Sequence, residues 1–525
     1  MTRGVAASAA VAAIALVGGP VFGWFPLVRL PALLLPVLAA AFVIARPWRW
    51  SPRDIEGLAA WTPSPRTVWI ATFVTAAVLA WIVLTRFRSG DINAVDFTVY
   101  FDRPLYQTAQ GRPLFVETAD LPDFSHRSQF AVHAYYILLL LAPLYRIAAT
   151  PYWLLALSIA AVALGALHAF RIVRRLSGVG LVAAAAAFAF VLNANTARTL
   201  LYGFHPEVLY AWLIPAAIDA AIHRRRWWFL AAVLAAAAVK EDAILPLFAM
   251  SVTLALAGRV ARDDRWLCLA APPAIALANL AAYYAWVLPI FAFSSNPVYA
   301  GFWIDYGPTP ARAAIGMLSR PLDVARSVAG SGFLRVLLPH ALLPLIGWRW
   351  IAGIVPLVVL YGASSNSQVR DFGIYYSMVT VPFLTLGSAF GALVVARALL
   401  AREAAARIAA ASVVFLAALL VYGDRAGYSL RPWRSEVAAT PRVIATLASE
   451  PVVLVQSALY PHAGYDGRLV LLTRETLADP NYSGAITLLA PALNAYPFEK
   501  GDLDALAQRG QPVPGSAGII LVRRP

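Results

Sequence analysis

The side chains best suited to chemistry lie in one polar segment of an otherwise apolar chain, residues 91–133. Carboxylates beside cations and aromatic rings at one face of a membrane suit general-base catalysis on a polar substrate. Asp96 stands directly before the aromatic stretch Phe97 to Phe101 and is the first candidate for such a base. Asp102 follows six residues later, a spacing that does not make the two carboxylates neighbours on a helix. The ionisable residues of the segment are Asp91, Asp96, Asp102, Arg103, Arg112, Glu117, Asp120, Asp123, His126, Arg127 and His133.

A second motif, Tyr-Gly-Phe-His-Pro-Glu at 202–207, stands at the start of an apolar run. Its proline falls in the first turn of the predicted helix, where the missing N–H costs little. His205 and Glu207 therefore form a polar pair at the mouth of a helix, where they could bind a substrate.

Lys240, Glu241 and Asp242 form a third motif in a very short turn between two apolar runs. Three consecutive ionisable residues at membrane depth are costly unless they serve a function. Lys240 is one of only two lysines in a chain whose other basic residues are almost all arginines. The motif suits a phosphate clamp or a network that orients the loop carboxylate.

A last polar stretch, 368–376, precedes a late apolar run. Arg370 could contact an anionic group there, and Tyr376 is a further candidate for substrate binding. Each motif also has a structural interpretation. The histidine and glutamate pair can cap a helix, the Lys-Glu-Asp turn can hold an internal salt bridge, and Arg370 can extend its charge from the interface into water. The loop carboxylates that fit a solvated loop with charge pairs are Asp91, Asp120 and Asp123.

The elements that hold these motifs are apolar helices. Of the 525 residues, 61% are hydrophobic and only 13% are charged, about half the charged fraction of soluble domains. Runs of about 20 apolar residues match the thickness of a bilayer, and in lipid they must be helical because every backbone polar group needs an internal partner. The sequence therefore predicts an all-α polytopic membrane protein. The apolar runs span 5–23, 26–45, 67–85, 131–148, 151–170, 179–197, 208–222, 227–239, 243–258, 266–292, 335–347, 351–361, 375–396 and 408–422.

The net charge of +15 arises largely from short arginine clusters between the apolar runs. Such clusters mark cytoplasmic loops, and they are not gathered on a module that could bind nucleic acid. If all are cytoplasmic, the run 131–148 is not a simple crossing but a juxtamembrane, re-entrant or half-spanning helix. This topology predicts about 13 crossings with the N-terminus in the cytoplasm. The clusters are Arg46, Arg49, Arg53 and Arg66; Arg171, Arg174 and Arg175; Arg224, Arg225 and Arg226; Arg259, Arg262 and Arg265; and Arg397, Arg402 and Arg407.

The same topology divides the chain into two parts. Residues 1–422 form the multi-pass membrane domain, with a large external loop at 86–150. Residues 423–525 are much less apolar and alternate β-like runs with helical stretches, which predicts a small α/β domain on the extracytoplasmic side. The single cysteine, Cys268, lies in an apolar run, so the sequence offers no disulfide framework and no cysteine-based metal site.

Together these motifs resemble those of the domain-of-unknown-function family 2079, predicted bacterial membrane proteins that are grouped with the multi-pass GT-C glycosyltransferases. The resemblance covers most of 90–400 and extends weakly into the C-terminal part. Where the family tends to carry a His-Tyr pair near a late helix, this chain has Tyr375 and Tyr376. The features that carry the resemblance are Asp96 to Tyr100, Gln107, Gly111-Arg112-Pro113, His133, Ala142-Pro143-Leu144-Tyr145, Phe204-His205-Pro206-Glu207, Lys240-Glu241-Asp242, Gln456-Ser457 and Pro461-His462.

The resemblance implies a GT-C fold in the bacterial cytoplasmic membrane, with two juxtamembrane helices in the first external loop. It implies transfer of a sugar from a polyprenyl-phosphate donor to an envelope glycan or lipid acceptor on the extracytoplasmic side. Asp96 would be the general base, with Asp102 in reserve. We predict no metal cofactor, although loop carboxylates that converged with Glu207 or Asp242 could hold a divalent cation. The residues implied at the departing phosphate are Lys240, His205 and Arg112, and those implied to orient them or hold the acceptor are Glu207, Glu241 and Asp242.

Two other functions are compatible with the same features. A transporter or lipid flippase shares the helices and the cationic groups, but the sequence lacks the internal repeats and paired broken helices that many transporters carry. The polar motifs also concentrate at one membrane face, which favours an enzyme at the interface. A non-catalytic scaffold whose C-terminal part binds envelope partners would tolerate Asp96→Ala without loss of function.

Overall fold

The computed structural model describes residues 52–92, 95–116, 128–257, 260–293, 298–420, 431–516 and 518–524. In these residues the chain is mostly helical, and five helices are long and apolar enough to cross a membrane. The predicted helices over 5–23 and 26–45 and the loop residues from Glu117 to Arg127 lie outside the described residues. The five helices are Pro65–Arg88, Tyr152–Ser177, Gly180–Tyr202, Arg262–Phe291 and Val381–Leu399.

Small residues allow the helices of the membrane part to pack closely. A Cβ at Gly165, in helix Tyr152–Ser177, would collide with the carbonyl oxygen of Ala211 on a neighbouring helix. The alanine-rich helix Gly180–Leu192 is buried on nearly all sides, as expected for the centre of a bundle. The helices of this part, including the segments within the longer spans, are Pro52–Ala60, Pro65–Arg88, Tyr152–Ser177, Gly180–Leu192, Ala194–Tyr202, Tyr210–Ile222, Arg226–Ala237, Ile244–Leu256, Arg265–Leu269, Ala271–Ala282, Leu288–Phe291, Pro310–Ser319, Pro321–Ala329, Phe333–Leu337, Leu343–Ile346, Val355–Gly362, Ser367–Arg370, Val381–Leu399 and Glu403–Leu420.

The segment between the first two long helices consists of short helical pieces. A π-helix at Val95–Asp102 continues directly into helix Arg103–Ala109. The run 131–148 contains only two short helices, Tyr136–Leu139 and Ala142–Ile147. About 12 residues of helix rise roughly 18 Å, whereas the hydrocarbon core is about 30 Å thick. The helical part of this run is therefore shorter than the hydrocarbon core is thick.

The prediction of a single helix over 335–347 is wrong. The chain there forms separate short pieces that meet at Ala341 and Leu342, whose left-handed φ angles are 48° and 57°. Pro339 and Pro344 explain the break, because a proline inside a helix removes a hydrogen bond and collides with the preceding turn.

A five-stranded mixed sheet forms the C-terminal part, in the order β2-β1-β3-β5-β4. The first three strands run parallel, with Val453 opposite both Leu469 and Ile486. Strand β5 is antiparallel to both of its neighbours. The strands are β1 Val453–Val455, β2 Leu469–Leu471, β3 Ile486–Leu489, β4 Gln511–Pro512 and β5 Ile520–Arg523.

Helices cover both faces of this sheet. The face that bears Val453 packs against helix Ser435–Thr446, and the face that bears Leu454 packs against helix Lys500–Ala507. The first of these faces also contacts the π-helix Val95–Asp102. The C-terminal sheet therefore rests directly on the predicted external segment of the membrane part, residues 86–150. A further short helix spans Arg474–Ala478.

Candidate active site

The π-helix that carries Asp96 packs directly against the Tyr-Gly-Phe-His-Pro-Glu motif. Gly203 in that motif has a φ of +114°, which a side chain would strain. A Cβ at Gly203 would also lie only 3.1 Å from the ring of Phe97. One turn along the π-helix, the ring of Phe101 lies edge-on to that of His205 with centroids 4.9 Å apart. The glycine thus lets the two motifs approach each other closely.

Glu207 and Lys240 form a buried ion pair at the centre of the site. Nζ of Lys240 lies 2.9 Å from Oε1 of Glu207, and the two side chains are 7% and 1% exposed. The other carboxylate oxygen of Glu207 contacts Nδ1 of His205. Oδ2 of Asp242 lies 3.8 Å from the same Nζ. Both oxygens of the buried Glu207 carboxylate are satisfied, as a buried charge requires.

Glu241 connects the Lys-Glu-Asp turn to the polar segment 91–133. Its Oε1 lies 2.7 Å from Nδ1 of His133, and its Oε2 accepts a hydrogen bond from the backbone N–H of Ala134 at 2.9 Å. The ring of His133 stacks on that of Tyr299, with centroids 5.0 Å apart. Burial lowers the pKa of His133, although the Glu241 carboxylate acts in the opposite direction.

A cavity of about 280 Å³ opens onto this network. Its polar lining includes Lys240, Asp242 and Tyr361, and the Tyr361 hydroxyl lies 3.5 Å from Oδ2 of Asp242. An apolar cavity with a few convergent polar groups suits a ligand that has both a polar head and an apolar body. The apolar lining includes Ile244, Leu245, Leu280, Ala314, Met317 and Leu360.

Tyr376 lines the same cavity and is linked back to the ion pair through Tyr375. The Tyr375 hydroxyl donates to that of Tyr376 at 3.2 Å. The ring of Tyr375 stacks on His205, with centroids only 3.4 Å apart. Sequence reasoning named Tyr376 as a site residue and missed the structural role of Tyr375. The two neighbouring tyrosines at the start of a predicted apolar helix were the sequence feature that could have indicated this role.

Asp96 lies within electrostatic range of this network. Burial is the main cause that raises the pKa of Asp96, and the nearby Glu207 carboxylate raises it further, to about 6. The charge of Asp96 also acts on the hydroxyl of Tyr376. A carboxyl group with such a pKa is ionised at neutral pH and can accept a proton in a reaction.

Asp102 has different surroundings. Its Oδ1 accepts hydrogen bonds from the hydroxyls of Tyr145 at 2.8 Å and Tyr465 at 2.9 Å. The side chain is 2% exposed. Burial raises the pKa of Asp102 to about 7, and the two tyrosine hydrogen bonds act in the opposite direction. The two predicted carboxylates therefore occupy separate environments, in keeping with their six-residue spacing.

Two basic residues that were predicted to bind the substrate lie away from the cavity. Arg112 is exposed, with its guanidinium 5.0 Å from the ring of Phe115. Arg370 ends the short helix Ser367–Arg370, and the cavity is lined by its neighbour Val369 instead. Within the described ranges, no group of three or more histidine, cysteine and carboxylate side chains has the arrangement of a metal site.

Several residues of the site were not predicted. Tyr299 and Tyr361 line the cavity and contact His133 and Asp242, respectively. Both lie far along the chain from the residues they contact, and a single aromatic residue near an apolar run has no distinctive sequence signal. Their assignment therefore required the three-dimensional structure.

The fold and this site define a class of protein, a polytopic membrane protein with a buried ionic network beside a largely apolar cavity. The chain belongs to the DUF2079 family of predicted membrane proteins, whose family model matches residues 91–463. No curated protein matches the chain.

Solved structures of the ArnT protein from Cupriavidus metallidurans are similar to this chain in fold. The crystal structure bound to undecaprenyl phosphate is 15% identical, with a TM-score of 0.50, and the match covers 86% of this chain and 97% of that chain. The crystal structure of the apo state is also 15% identical, with a TM-score of 0.49 and coverage of 87% and 98%. At this identity the first likeness establishes the fold alone.

Proposed function

We propose that this chain is a membrane glycosyltransferase that transfers a sugar from a polyprenyl-phosphate donor to an envelope glycan or lipid acceptor. The observation that carries the proposal is the largely apolar cavity that Lys240, Asp242 and Tyr361 line with polar groups. In the proposed topology the N-terminus is cytoplasmic, and the apolar runs that cross the membrane include some that are broken into shorter helical pieces. Residues 1–422 form the membrane domain, and the sheet-containing part, 423–525, faces the extracytoplasmic side together with the cavity.

The cavity supports a lipid phosphate as the donor. Its apolar wall, which includes Leu280 and Met317, could contact prenyl groups, while Lys240 offers an ammonium group at the polar end. An ammonium group has three N–H donors, so contact with Glu207 leaves donors for phosphate oxygens. The undecaprenyl phosphate bound to the ArnT protein supports the same ligand class by analogy of fold.

The proposed reaction forms one bond and breaks another. The acceptor hydroxyl oxygen attacks the anomeric carbon of the sugar, and the bond from that carbon to the phosphate oxygen breaks. Asp96 accepts the hydroxyl proton, and the lipid phosphate leaves with the electron pair of the broken bond. A base with a pKa near the working pH is effective in such a step. Lys240 stabilises the negative charge that develops on the phosphate.

The remaining side chains have supporting roles in this scheme. His205 and Glu207 hold Lys240 in place through the buried ion pair. Glu241 holds His133 at the cavity wall, and Asp242 and Tyr376 are proposed to contact the sugar or the acceptor. Arg112 and Arg370 are exposed or half-exposed and remain candidates for contact with an anionic group at the mouth of the site, and Asp102 remains the reserve base.

The test is sugar transfer in membranes from labelled polyprenyl-phosphate sugars, with wild type and Asp96→Asn at matched expression. Asp96→Asn keeps the size of the side chain and removes the base, so we expect transfer to be lost. Asp323→Asn is the matched control, because Asp323 forms only an exposed pair with Arg326. That control should transfer sugar at the wild-type rate.

The other outcomes are equally informative. Transfer that persists in Asp96→Asn would remove Asp96 from the catalytic role and favour Asp102 or the Lys240 turn. No transfer from any donor in either protein would contradict the proposed function. A transporter, a flippase or an envelope scaffold would then be the better interpretation.

A further inference from the structure

The C-terminal sheet has a crevice of the kind that binds ligands in other α/β folds. Strand β1 has β2 on one side and β3 on the other, all parallel, so the strand order reverses at β1. Ligands of open α/β sheets bind at such points, outside the carboxyl ends of the strands. In this chain the residues that follow β1 and β3 include Ala458 and Leu493.

That crevice is filled by the external segment of the same chain. A Cβ at Gly90 would lie 3.1 Å from the carbonyl oxygen of Ala458 and 3.3 Å from a methyl carbon of Leu493. Val99 and Val116 are buried in one apolar cluster with both of those residues. The position that would hold a ligand elsewhere therefore holds the segment that leads into the candidate active site.

The π-helix Val95–Asp102 is held from two sides. Phe97 and Phe101 are buried in the core of the membrane part. Val99, between them in sequence, is buried in the core that the C-terminal sheet provides. Asp96 belongs to this same short element, so its position depends on both surfaces.

Polar contacts fix the same junction. Arg103, which is 3% exposed, donates from its two terminal nitrogens to the carbonyl oxygens of Gly464 at 3.1 Å and Asp466 at 3.0 Å. The next hydrogen bond runs from the Tyr465 hydroxyl to Asp102. Hydrogen bonds from a buried cation are stronger than neutral ones. One loop of the C-terminal part thus grips the end of the π-helix at two adjacent residues.

The preceding long helix is held by the same loop region. Nε2 of His462 lies 3.1 Å from the carbonyl oxygen of Phe87, and the two rings have centroids 4.3 Å apart. Burial lowers the pKa of His462 to about 4, so the ring is neutral at physiological pH and its Nε2–H donates to that oxygen. The contact anchors the end of helix Pro65–Arg88, from which the π-helix follows.

We propose that the C-terminal α/β part binds the external segment in its own crevice and thereby positions Asp96, with Arg103 and Tyr465 as positioning residues. The role of Asp96 rests on the proposed function, whereas the grip on the π-helix does not. The C-terminal part is then a fixed component of the active site, and its crevice is closed to a separate soluble ligand.

Hydrogen exchange of the full chain in nanodiscs tests the grip without any assay for transfer. Arg103→Met keeps an apolar stem and removes both hydrogen bonds to the C-terminal part. Tyr465→Phe keeps the ring, which stacks on Tyr106 at 4.5 Å, and removes the bond to Asp102. We expect the amides of 95–102 to exchange about tenfold faster in each variant, since each loses the equivalent of one or two buried hydrogen bonds.

A matched control lies in the same C-terminal part. Arg474→Ala removes an exposed ion pair with Asp502, which lies on helix Lys500–Ala507 and so on the face of the sheet opposite the π-helix. Exposed pairs contribute little to stability, so exchange over 95–102 should match that of the wild type. The helix Tyr152–Ser177 provides an internal reference in all variants.

Transfer kinetics test the positioning role. Arg103→Met should lower kcat about tenfold to hundredfold with little change in the donor KM, because a small displacement of a base costs rate more than ground-state binding. Arg103→Lys keeps the charge and should restore part of kcat. A purely structural role would instead lower the amount of folded protein and leave the turnover of each folded molecule unchanged.

The outcomes separate this proposal from the proposed function. Unchanged exchange over 95–102 in both variants would overturn it, whatever the transfer assay gives. Faster exchange with an unchanged kcat per folded molecule would overturn the positioning role. Faster exchange in a protein that transfers no sugar from any donor would contradict the proposed function and support the grip on the π-helix.

Discussion

The ammonium nitrogen of Lys240 lies 2.9 Å from a carboxylate oxygen of Glu207, although the residues are 33 positions apart. Both side chains are buried, so each charge depends on the other for compensation. The pair joins the His-Pro-Glu motif to the Lys-Glu-Asp motif at the edge of the cavity. Loss of the pair should therefore lower the stability of the protein, and this effect can be measured independently of any catalytic role.

Lys240→Met should destabilise the protein strongly. The substitution leaves the Glu207 carboxylate buried with only His205 as a partner, and removal of one member of a buried pair typically costs about 3–5 kcal/mol. The double variant Lys240→Met with Glu207→Gln should regain most of this loss, because position 207 then no longer carries a buried charge without its cation. Thermal unfolding in detergent measures both effects.

An exposed ion pair provides the comparison for this cycle. Arg397 and Glu403 are each about half exposed, so Arg397→Met should cost about 1 kcal/mol or less. A double variant no more stable than Lys240→Met would contradict the view that the ion pair is buried and mutually dependent.

Gly203→Ala should destabilise the contact between the two motifs. The φ of +114° costs a side chain about 1–3 kcal/mol, and the added carbon meets the ring of Phe97. Gly501→Ala is the control: it lies in helix Lys500–Ala507 with nothing near its Cβ position. That control should be neutral or stabilise by about 0.5–1 kcal/mol. Equal unfolding midpoints for the two variants would refute the special role of Gly203.

Much of the fold could be predicted from hydropathy and turn chemistry. The apolar runs that became Pro65–Arg88 and Tyr152–Ser177 are long and continuous, so composition alone identifies them. Strand β3, Ile486–Leu489, is a short apolar run without the alternation that marks a half-buried strand, and such a run cannot be distinguished from a buried helical segment by its pattern alone. The break at Ala341 depends on local backbone angles that apolar patterning does not report.

Individual residues of the site could be predicted from the sequence, but the contacts between them could not. Lys240 and Glu241 stood out because charges at membrane depth are costly. That Glu207 is the partner of the first and His133 of the second depends on how distant segments meet. The anchoring of Asp102 by Tyr465 spans 363 positions and joins two parts of the chain that the sequence treated separately.

The rate of the proposed transfer should rise with pH through about 6. Asp96 has its pKa raised to about 6 by burial and by Glu207, and only the ionised form can act as a base. Below that value kcat should fall by about tenfold per pH unit. Rates measured from pH 5 to 8 check this, and a flat profile would mean that Asp96 does not supply the base.

The stability of the protein should depend on pH through Asp102. Burial raises its pKa to about 7, whereas the unfolded chain has a value of about 3.9. Between these two values the folded state holds a proton that the unfolded state releases. The free energy of unfolding therefore falls as pH rises toward 7, by up to about 1.4 kcal/mol per pH unit. The side chain of Asp102→Asn cannot titrate, so the stability of this variant relative to the wild type should rise between pH 5 and 7. Parallel unfolding midpoints over that range would mean that Asp102 is already ionised at pH 5.

The apolar wall of the cavity should determine the preference for a long-chain donor. Ala314 lines the cavity from the surface of helix Pro310–Ser319, so Ala314→Phe narrows the apolar end without disturbing a packed core. We expect the KM for a long-chain polyprenyl-phosphate sugar to rise about tenfold, the equivalent of about 1.4 kcal/mol of binding. Ile315→Phe is the control, because Ile315 is 66% exposed on the same helix and does not line the cavity. A soluble short-chain donor should be affected less by Ala314→Phe. An equal rise in KM for both donors would show that the lipid chain does not occupy this cavity.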